Sequence, residues 1–132
     1  MTALSTIDHV AGERFVSLTT FRRDGTPVGT PVWIARDGDA LVVTTPADTG
    51  KVKRLRRDPR VELRSCDRRG RVPEGAVSVA GVAELVAPEP RHVTVLRRKY
   101  GMEYRIFSAV ERLVRGRGER VILRIRLDQP TS

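Results

Sequence analysis

The chain has 132 residues, enough for one domain with a buried core but too few for a second catalytic domain. Its formal net charge of +9 favours an anionic partner. No apolar run is long enough for a membrane span and the first residues do not resemble a secretory signal, so we expect a soluble cytoplasmic protein. The single cysteine, Cys66, excludes an internal disulfide and a thiolate zinc cluster.

The first half of the chain alternates apolar and polar residues in the manner of short strands joined by tight turns. A short helix over residues 7–10, with Ser5 or Thr6 as its N-cap, comes first. Strands are predicted over 14–21, 26–35 and 40–45, and Asp-Gly turns separate them. The first two strands should pair across Asp24-Gly25, which gives a three-stranded antiparallel meander.

The second half begins with a basic helix that has Lys51 in its first turn, ends at Pro59 and takes Asp48 or Thr49 as its N-cap. The pattern then predicts strands over 60–66, 76–86 and 120–127, with helices over 89–100 and 103–115. Gly81 marks a bend in the second of these strands. The whole chain, residues 1–132, is therefore predicted to be one mainly β, α+β domain: a six-stranded antiparallel barrel with flanking helices.

The start of the basic helix is a candidate anion site. Backbone N–H groups at a helix start favour a phosphate, and Lys51 and Arg54 share one helical face and add positive charge. From residue 51 to 71 there are ten Lys or Arg against three acidic residues. For Lys53, Arg56 and Arg57, plain solvated charge is the favoured interpretation.

Other side chains give little sign of chemistry. His9 and His92 are isolated from Cys and from paired carboxylates, so we expect no metal and interpret both as exposed or half-buried helix residues. No nucleophile elbow or Walker loop is present. Arginines near Cys66 could lower its pKa, but a small strand residue is the favoured interpretation. Trp33 is either a core or interface aromatic or the neighbour of a planar ligand, and the sequence leaves both open.

Several short motifs occur in a specific order along the chain: Asp24-Gly25-x-Pro27, Thr30-Pro31-Val32-Trp33, Asp37-Gly38-Asp39-x-Leu41, Thr44-Thr45, Gly50-Lys51-x-x-Arg54-Leu55 and Asp58-Pro59-Arg60-Val61. In this order they resemble the pyridoxamine 5′-phosphate oxidase-like family. The similarity is greatest to its actinobacterial branch of F420-dependent enzymes, the flavin/deazaflavin oxidoreductases. It covers nearly the whole chain and is tightest over residues 15–63.

The resemblance implies a split β-barrel homodimer with two cofactor sites at the subunit interface. It implies that the cofactor phosphate meets Lys51 and Arg54, with Lys53 nearby. The ring system would be lined by strands two and three, at Pro31, Val32, Trp33, Val43, Thr44 and Thr45. The expected cofactor is coenzyme F420, with FMN as the alternative, because the basic residues from 56 to 71 suit the carboxylate tail of F420.

The expected function is that of an oxidoreductase that transfers a hydride from reduced F420 to a small unsaturated or carbonyl substrate. The cofactor carries the chemistry, so no catalytic side chain is required, and the proton donor is left open among Tyr100, Tyr104 and water. The alternatives are an FMN-dependent reductase or oxidase, a non-catalytic flavin-binding protein and, remotely, a nucleic-acid binder. The last is disfavoured because aromatic residues make up only 5% of the chain and no nucleic-acid-binding motif is present.

Overall fold

A computed structural model describes residues 3–106 and 119–128 of the protein. Its helices are α1 (Ala3–Ala11), α2 (Gly50–Arg57) and α3 (Pro90–Tyr100). Its strands are β1 (Val16–Phe21), β2 (Pro27–Val32), β3 (Ala35–Asp37), β4 (Ala40–Pro46), β5 (Arg60–Ser65), β6 (Val79–Val86) and β7 (Arg120–Leu127). Of the helix predicted over 103–115, residues 102–106 are helical and the remainder lies outside the described residues. None of the described helices could span a membrane.

The strands form one antiparallel sheet in the order β2-β1-β5-β6-β7-β4-β3. The two strands at the ends of this order, β2 and β3, are consecutive in the chain and are separated only by Trp33 and Ile34. The continuous chain therefore joins the two ends of the sheet, which curls into a barrel. This confirms the predicted antiparallel barrel with flanking helices. The count is seven strands instead of six because the predicted second strand is broken in two.

The break occurs where the chain changes partner, from β1 to β4. Val32 is the last residue of β2 paired with β1, and Ala35 is the first residue of β3 paired with β4. Between them, the Ile34 N–H donates to the Tyr100 hydroxyl at 3.0 Å, and the Ile34 carbonyl accepts from Lys99 Nζ at 2.6 Å. Side chains of α3 thus satisfy backbone groups that neither sheet partner satisfies.

Both Asp-Gly turns are present as predicted. Gly25 (φ 89°) and Gly38 (φ 65°) adopt the left-handed conformation that glycine tolerates best. At the first turn the Asp24 carboxylate accepts from the N–H of Thr26 at 3.0 Å. The pairing of β1 with β2 across this turn is confirmed.

The core has two parts because the sides of the strands alternate. Side chains inside the barrel form the larger part, which includes Leu18, Ile34, Leu41, Val43, Leu63, Leu123 and Ile125. The opposite side of β4 and β7 packs beneath α3, where Ala35, Val42, Leu96, Tyr100 and Ile122 form the second part. Strand β4 is consequently buried on both faces, as its continuous apolar pattern predicts.

His92 is fully buried, so the prediction of an exposed or half-buried helix residue was wrong for this histidine. Its Nδ1 accepts the Glu89 backbone N–H at 3.0 Å, while the Glu89 side chain accepts from the His92 backbone N–H in a capping box. The imidazole is therefore held at the start of α3 as a cap. His9 is largely exposed, as expected.

Candidate functional site

A cavity of about 460 Å³ opens where the β2–β3 break, the end of β4, the start of α2 and the start of β7 meet. A volume of this size is in the range of small-molecule and cofactor sites. Its lining residues are Phe15, Pro31, Val32, Trp33, Thr44, Thr45, Pro46, Lys51, Arg68, Glu103, Ile106 and Arg120. Within the described ranges, no group of three or more His, Cys, Asp or Glu side chains could hold a metal ion.

Six of the nine cofactor-binding residues predicted from the sequence line this cavity: Pro31, Val32, Trp33, Thr44, Thr45 and Lys51. The other three do not. Val43 lies inside the barrel core because it alternates with Thr44 along β4, and Lys53 is exposed. Arg54 is directed towards β1 and donates from Nε to the hydroxyl of Thr20 at 2.6 Å.

The N-cap of α2 is Thr49, at one of the two predicted positions, but its hydroxyl does not cap the helix. It donates to the carbonyl of Pro46 at 3.1 Å and so fixes the turn that leaves β4. The prediction of a side-chain oxygen on the first-turn N–H groups was therefore wrong for Thr49. The backbone N–H groups at a helix start favour an anion.

The Arg54 guanidinium lies against the first turn of α2. A Cβ on Gly50 would be only 2.9 Å from Arg54 Nη1, so the glycine leaves the space that this guanidinium occupies. Burial lowers the pKa of Arg54, and the nearby Arg22 and Arg57 lower it further. A positive charge beside a helix N-terminus is also opposed by the helix dipole. These effects together favour an anion next to Arg54.

The charged side chains of the cavity lining are mainly cationic. Lys51, Arg68 and Arg120 line it from α2, from the 66–78 loop and from β7. The lining carboxylate, Glu103, forms an ion pair with Arg14. The lining therefore suits a ligand that carries negative charge.

Trp33 has contacts that fit both of the roles that the sequence leaves open. Its ring stacks on that of Tyr100 with centroids 4.5 Å apart and an interplanar angle of 9°. Trp33 is half-buried, and it also lines the cavity. One contact ties the tryptophan to the core beneath α3, and the other places it beside any ligand in the cavity.

Tyr100 is a structural group. Burial raises the pKa of Tyr100 to about 12, and its hydroxyl lies within hydrogen-bond distance of the carbonyls of Arg14 (2.9 Å) and Ile34 (3.0 Å). A phenol with this pKa is a poor proton donor near neutral pH. This leaves Tyr104 and water from the three donors considered.

Cys66 has a raised pKa, so arginines do not activate it. Burial is the main cause, and the carboxylates of Asp67 and Glu13 act in the same direction. A thiol in this environment is a poor nucleophile at neutral pH, in agreement with the interpretation as a small strand residue.

Several arginines between residues 51 and 71 already have partners. Arg60 pairs with Asp58, Arg71 pairs with Asp67, and Arg57 donates to the Phe21 carbonyl at 2.7 Å. Of this segment, Lys51 and Arg68 line the cavity. The local charge is therefore spread around the site, and only part of it faces the cavity.

Solved structures of similar fold cover nearly the whole chain. A conserved hypothetical protein from Mycobacterium tuberculosis matches with a TM-score of 0.65 and 28% identity, over 98% of this chain and 85% of that one. An F420 reductase matches at 0.57 and 24%, over 92% of each chain. A pyridoxamine 5′-phosphate oxidase-related, FMN-binding protein from Nostoc punctiforme matches at 0.60 and 13%, over 93% and 78%.

Among proteins of curated function, no sequence matches the chain significantly. The family model described as pyridoxamine 5′-phosphate oxidase, however, matches residues 7–130. That range includes the barrel strands and the cavity-lining residues described above. The chain belongs to the pyridoxamine 5′-phosphate oxidase family.

Proposed function

We propose that the protein is a cytoplasmic oxidoreductase that binds coenzyme F420 in the cavity and reduces a small unsaturated or carbonyl substrate. FMN is the alternative cofactor. The family and the similar folds of an F420 reductase and an FMN-binding protein support a flavin-type cofactor. The observation that carries the proposal is the arrangement of positive charge around the first turn of α2.

Arg54 is held beside that first turn, close to Arg22 and Arg57, and Lys51 extends from the same turn into the cavity lining. The charges repel one another, and the helix dipole adds to the repulsion. A phosphate bound here offsets both effects and accepts backbone and side-chain hydrogen bonds. Lys51 and Arg54 are therefore the proposed phosphate ligands.

The rest of the lining fits a planar ring system. Val32 and Trp33 supply an apolar wall from the β2–β3 break, and Phe15 and Ile106 extend it. Thr44 and Thr45 also line the cavity, from β4. An apolar slot with a few polar groups and a cationic end is typical of sites for phosphorylated ring cofactors.

The reduced cofactor, when bound, supplies the hydride. The protein's own residues bind and orient it: Lys51 and Arg54 hold the phosphate, while Val32 and Trp33 exclude water from one side of the cavity. Tyr100 fixes Trp33 and the β2–β3 break, and its raised pKa keeps it out of proton transfer.

F420 is placed ahead of FMN because it also carries a tail of carboxylates. Lys53 and Arg56 are exposed on α2, the helix whose first turn reaches the cavity, and Arg68 lines the cavity. These positions offer charge to an anionic tail beyond the phosphate. The preference is smaller than the sequence suggests, because Arg60 and Arg71 are already paired with carboxylates.

The cofactor proposal is tested by titrating the purified protein with F420 and FMN separately. Trp33 is the only tryptophan, so quenching of its fluorescence reports binding directly. Lys51→Met and Arg54→Met should each weaken binding by at least about tenfold. Arg126→Met, an exposed arginine on β7, is the matched control. Unchanged affinity of the first two variants, with the fold intact, would remove the phosphate assignment.

Turnover is tested separately. The ring absorbance of the bound reduced cofactor should decay when unsaturated or carbonyl acceptors are added. Binding without turnover against a broad panel of acceptors would instead support a non-catalytic flavin-binding protein. Salt-dependent binding of DNA without cofactor binding would support a nucleic-acid binder.

We also propose that the protein is a homodimer with the cavity at the subunit interface. Met102 and Ile106 are 68% and 60% exposed, and Ile106 lines the cavity. Covering such apolar residues with a second copy would remove them from water and close the cavity. Sedimentation velocity should show a dimer that Ile106→Glu dissociates. Val77→Glu, at a 76% exposed position before β6, should leave it intact.

A further inference from the structure

Arg120 is a cation of the cavity lining that the sequence did not single out. It is the first residue of β7 and pairs with Pro46 in the register with β4. Its guanidinium lies beside Thr44 instead of Pro46: Nε donates to the hydroxyl of Thr44, two residues back along β4, at 3.0 Å. Pro46 leads towards α2, so the Arg120 guanidinium is displaced away from the start of that helix.

The surroundings of Arg120 differ from those of Lys51. Burial lowers the pKa of Arg120, and the neighbouring Tyr104 acts in the opposite direction. Tyr104 lies beside Trp33, with ring centroids 6.4 Å apart. Arg120 therefore belongs to the Trp33 side of the cavity, whereas Lys51 belongs to the α2 side.

Thr45 also lines the cavity but is set apart from Arg120. The residue is 2% exposed, and its Oγ1 has no hydrogen-bond partner among the described residues. Side chains alternate along β4, so the Thr45 side chain lies on the same side as Val43 and opposite Thr44. Thr44, whose hydroxyl accepts from Arg120, is therefore the threonine of β4 that shares a side with Arg120.

We propose that Arg120 binds the oxygen-bearing edge of the cofactor's ring system, an inference that rests on the proposed function. A flavin or deazaflavin presents carbonyl oxygens along one ring edge, far from its phosphate. The planar fork of a guanidinium matches two adjacent acceptors on such an edge. Thr44 is then a positioning residue, because it directs the guanidinium without itself binding the cofactor.

The experiment separates ring binding from phosphate binding by using paired probes. FMN is compared with riboflavin, and F420 with its phosphate-free 8-hydroxy-5-deazaflavin chromophore. Arg120→Met should weaken both members of a pair by the same factor, at least about tenfold. Lys51→Met should weaken only the phosphorylated member. Thr44→Val should weaken both members by about threefold, because it removes one hydrogen bond to the guanidinium.

Arg126→Met, an exposed arginine six residues further along the same strand, is the matched control and should leave every affinity unchanged. If Arg120→Met does not fold, Thr44→Val alone decides the question. An effect confined to the phosphorylated probes, or no effect beyond that of the control, would overturn the assignment of Arg120. If the wild-type protein binds neither pair, the proposed cofactor function fails and this inference fails with it.

Discussion

Removing one hydroxyl tests how the β2–β3 break is held. In Tyr100→Phe, the aromatic ring and its stacking on Trp33 are kept, while the group that accepts the Ile34 N–H is lost. The Ile34 carbonyl keeps Lys99 as a donor, so the unsatisfied N–H is the main loss. An unsatisfied buried backbone donor costs about 1–3 kcal/mol, and we expect a loss of about 2 kcal/mol.

Urea unfolding without cofactor, at one protein concentration and one pH, measures this loss. For a domain of this size, about 2 kcal/mol corresponds to a fall in Tm of roughly 6–10 °C. Tyr104→Phe is the matched control, because Tyr104 also lies beside Trp33 but, in the described part of the chain, is not one of the groups bonded to Ile34. We expect that variant to lose less than about 0.5 kcal/mol.

Equal and small losses in the two variants would refute the reasoning. The Tyr100 hydroxyl would then contribute nothing to the break, and water would have to accept the Ile34 N–H. A fall in stability together with a change in the shape of the far-ultraviolet spectrum would mean that the fold itself had changed. The comparison would then be repeated with Lys99→Met, which removes the other α3 contact to Ile34.

Three further changes test other parts of the molecule. Gly81→Ala should destabilise the fold by about 1–3 kcal/mol in urea unfolding, because a Cβ there would lie 2.6 Å from a backbone carbonyl of β7. Gly29→Ala should cost less, because its Cβ would meet a movable serine hydroxyl at 2.9 Å. Equal losses in the two variants would contradict the argument. Burial lowers the pKa of Lys99 to about 8, so the unfolded chain holds this proton more tightly than the folded chain does. The free energy of unfolding should therefore rise between about pH 8 and 10. Lys99→Met should flatten that rise, and an unchanged profile would exclude Lys99 as its cause. Arg54→Met should leave the cofactor-free protein at least as stable as the wild type, because it relieves the repulsion between Arg54 and Arg22. A loss of stability would show that the hydrogen bond from Arg54 to Thr20 outweighs that repulsion.

The features predicted correctly are those that neighbouring residues decide. The Asp24-Gly25 turn fixes the pairing of β1 with β2, because glycine supplies the left-handed conformation and the aspartate accepts a nearby N–H. The break at Ile34 depends instead on Tyr100, which is 66 residues away in the chain. His92 was mispredicted for a similar reason. The sequence predicts an exposed or half-buried helix residue, but His92 is buried because its side chain caps the start of α3.

The candidate site divides in the same way. Lys51 and Trp33 line the cavity, as predicted. Both could be predicted because they belong to elements that the local sequence pattern identifies, the basic helix and the second predicted strand. Arg120 was missed because its place beside Thr44 follows from the pairing of β7 with β4, which no local motif encodes. Val43 was included through the resemblance alone, although strand alternation places it opposite Thr44 and therefore inside the barrel.

Strand β2 lies at one end of the sheet order, and two of its six residues are prolines. Backbone N–H and C=O groups point to alternate edges of a strand from one residue to the next. The groups of Pro27, Gly29 and Pro31 therefore point to the same edge. Since β2 keeps its pairing with β1, that edge faces away from β1. An extended peptide approaching it would find one N–H donor, that of Gly29, where a regular strand offers three. The exposed edge is thus a poor template for strand addition, which protects the barrel from edge-to-edge aggregation and leaves self-association to side-chain contacts.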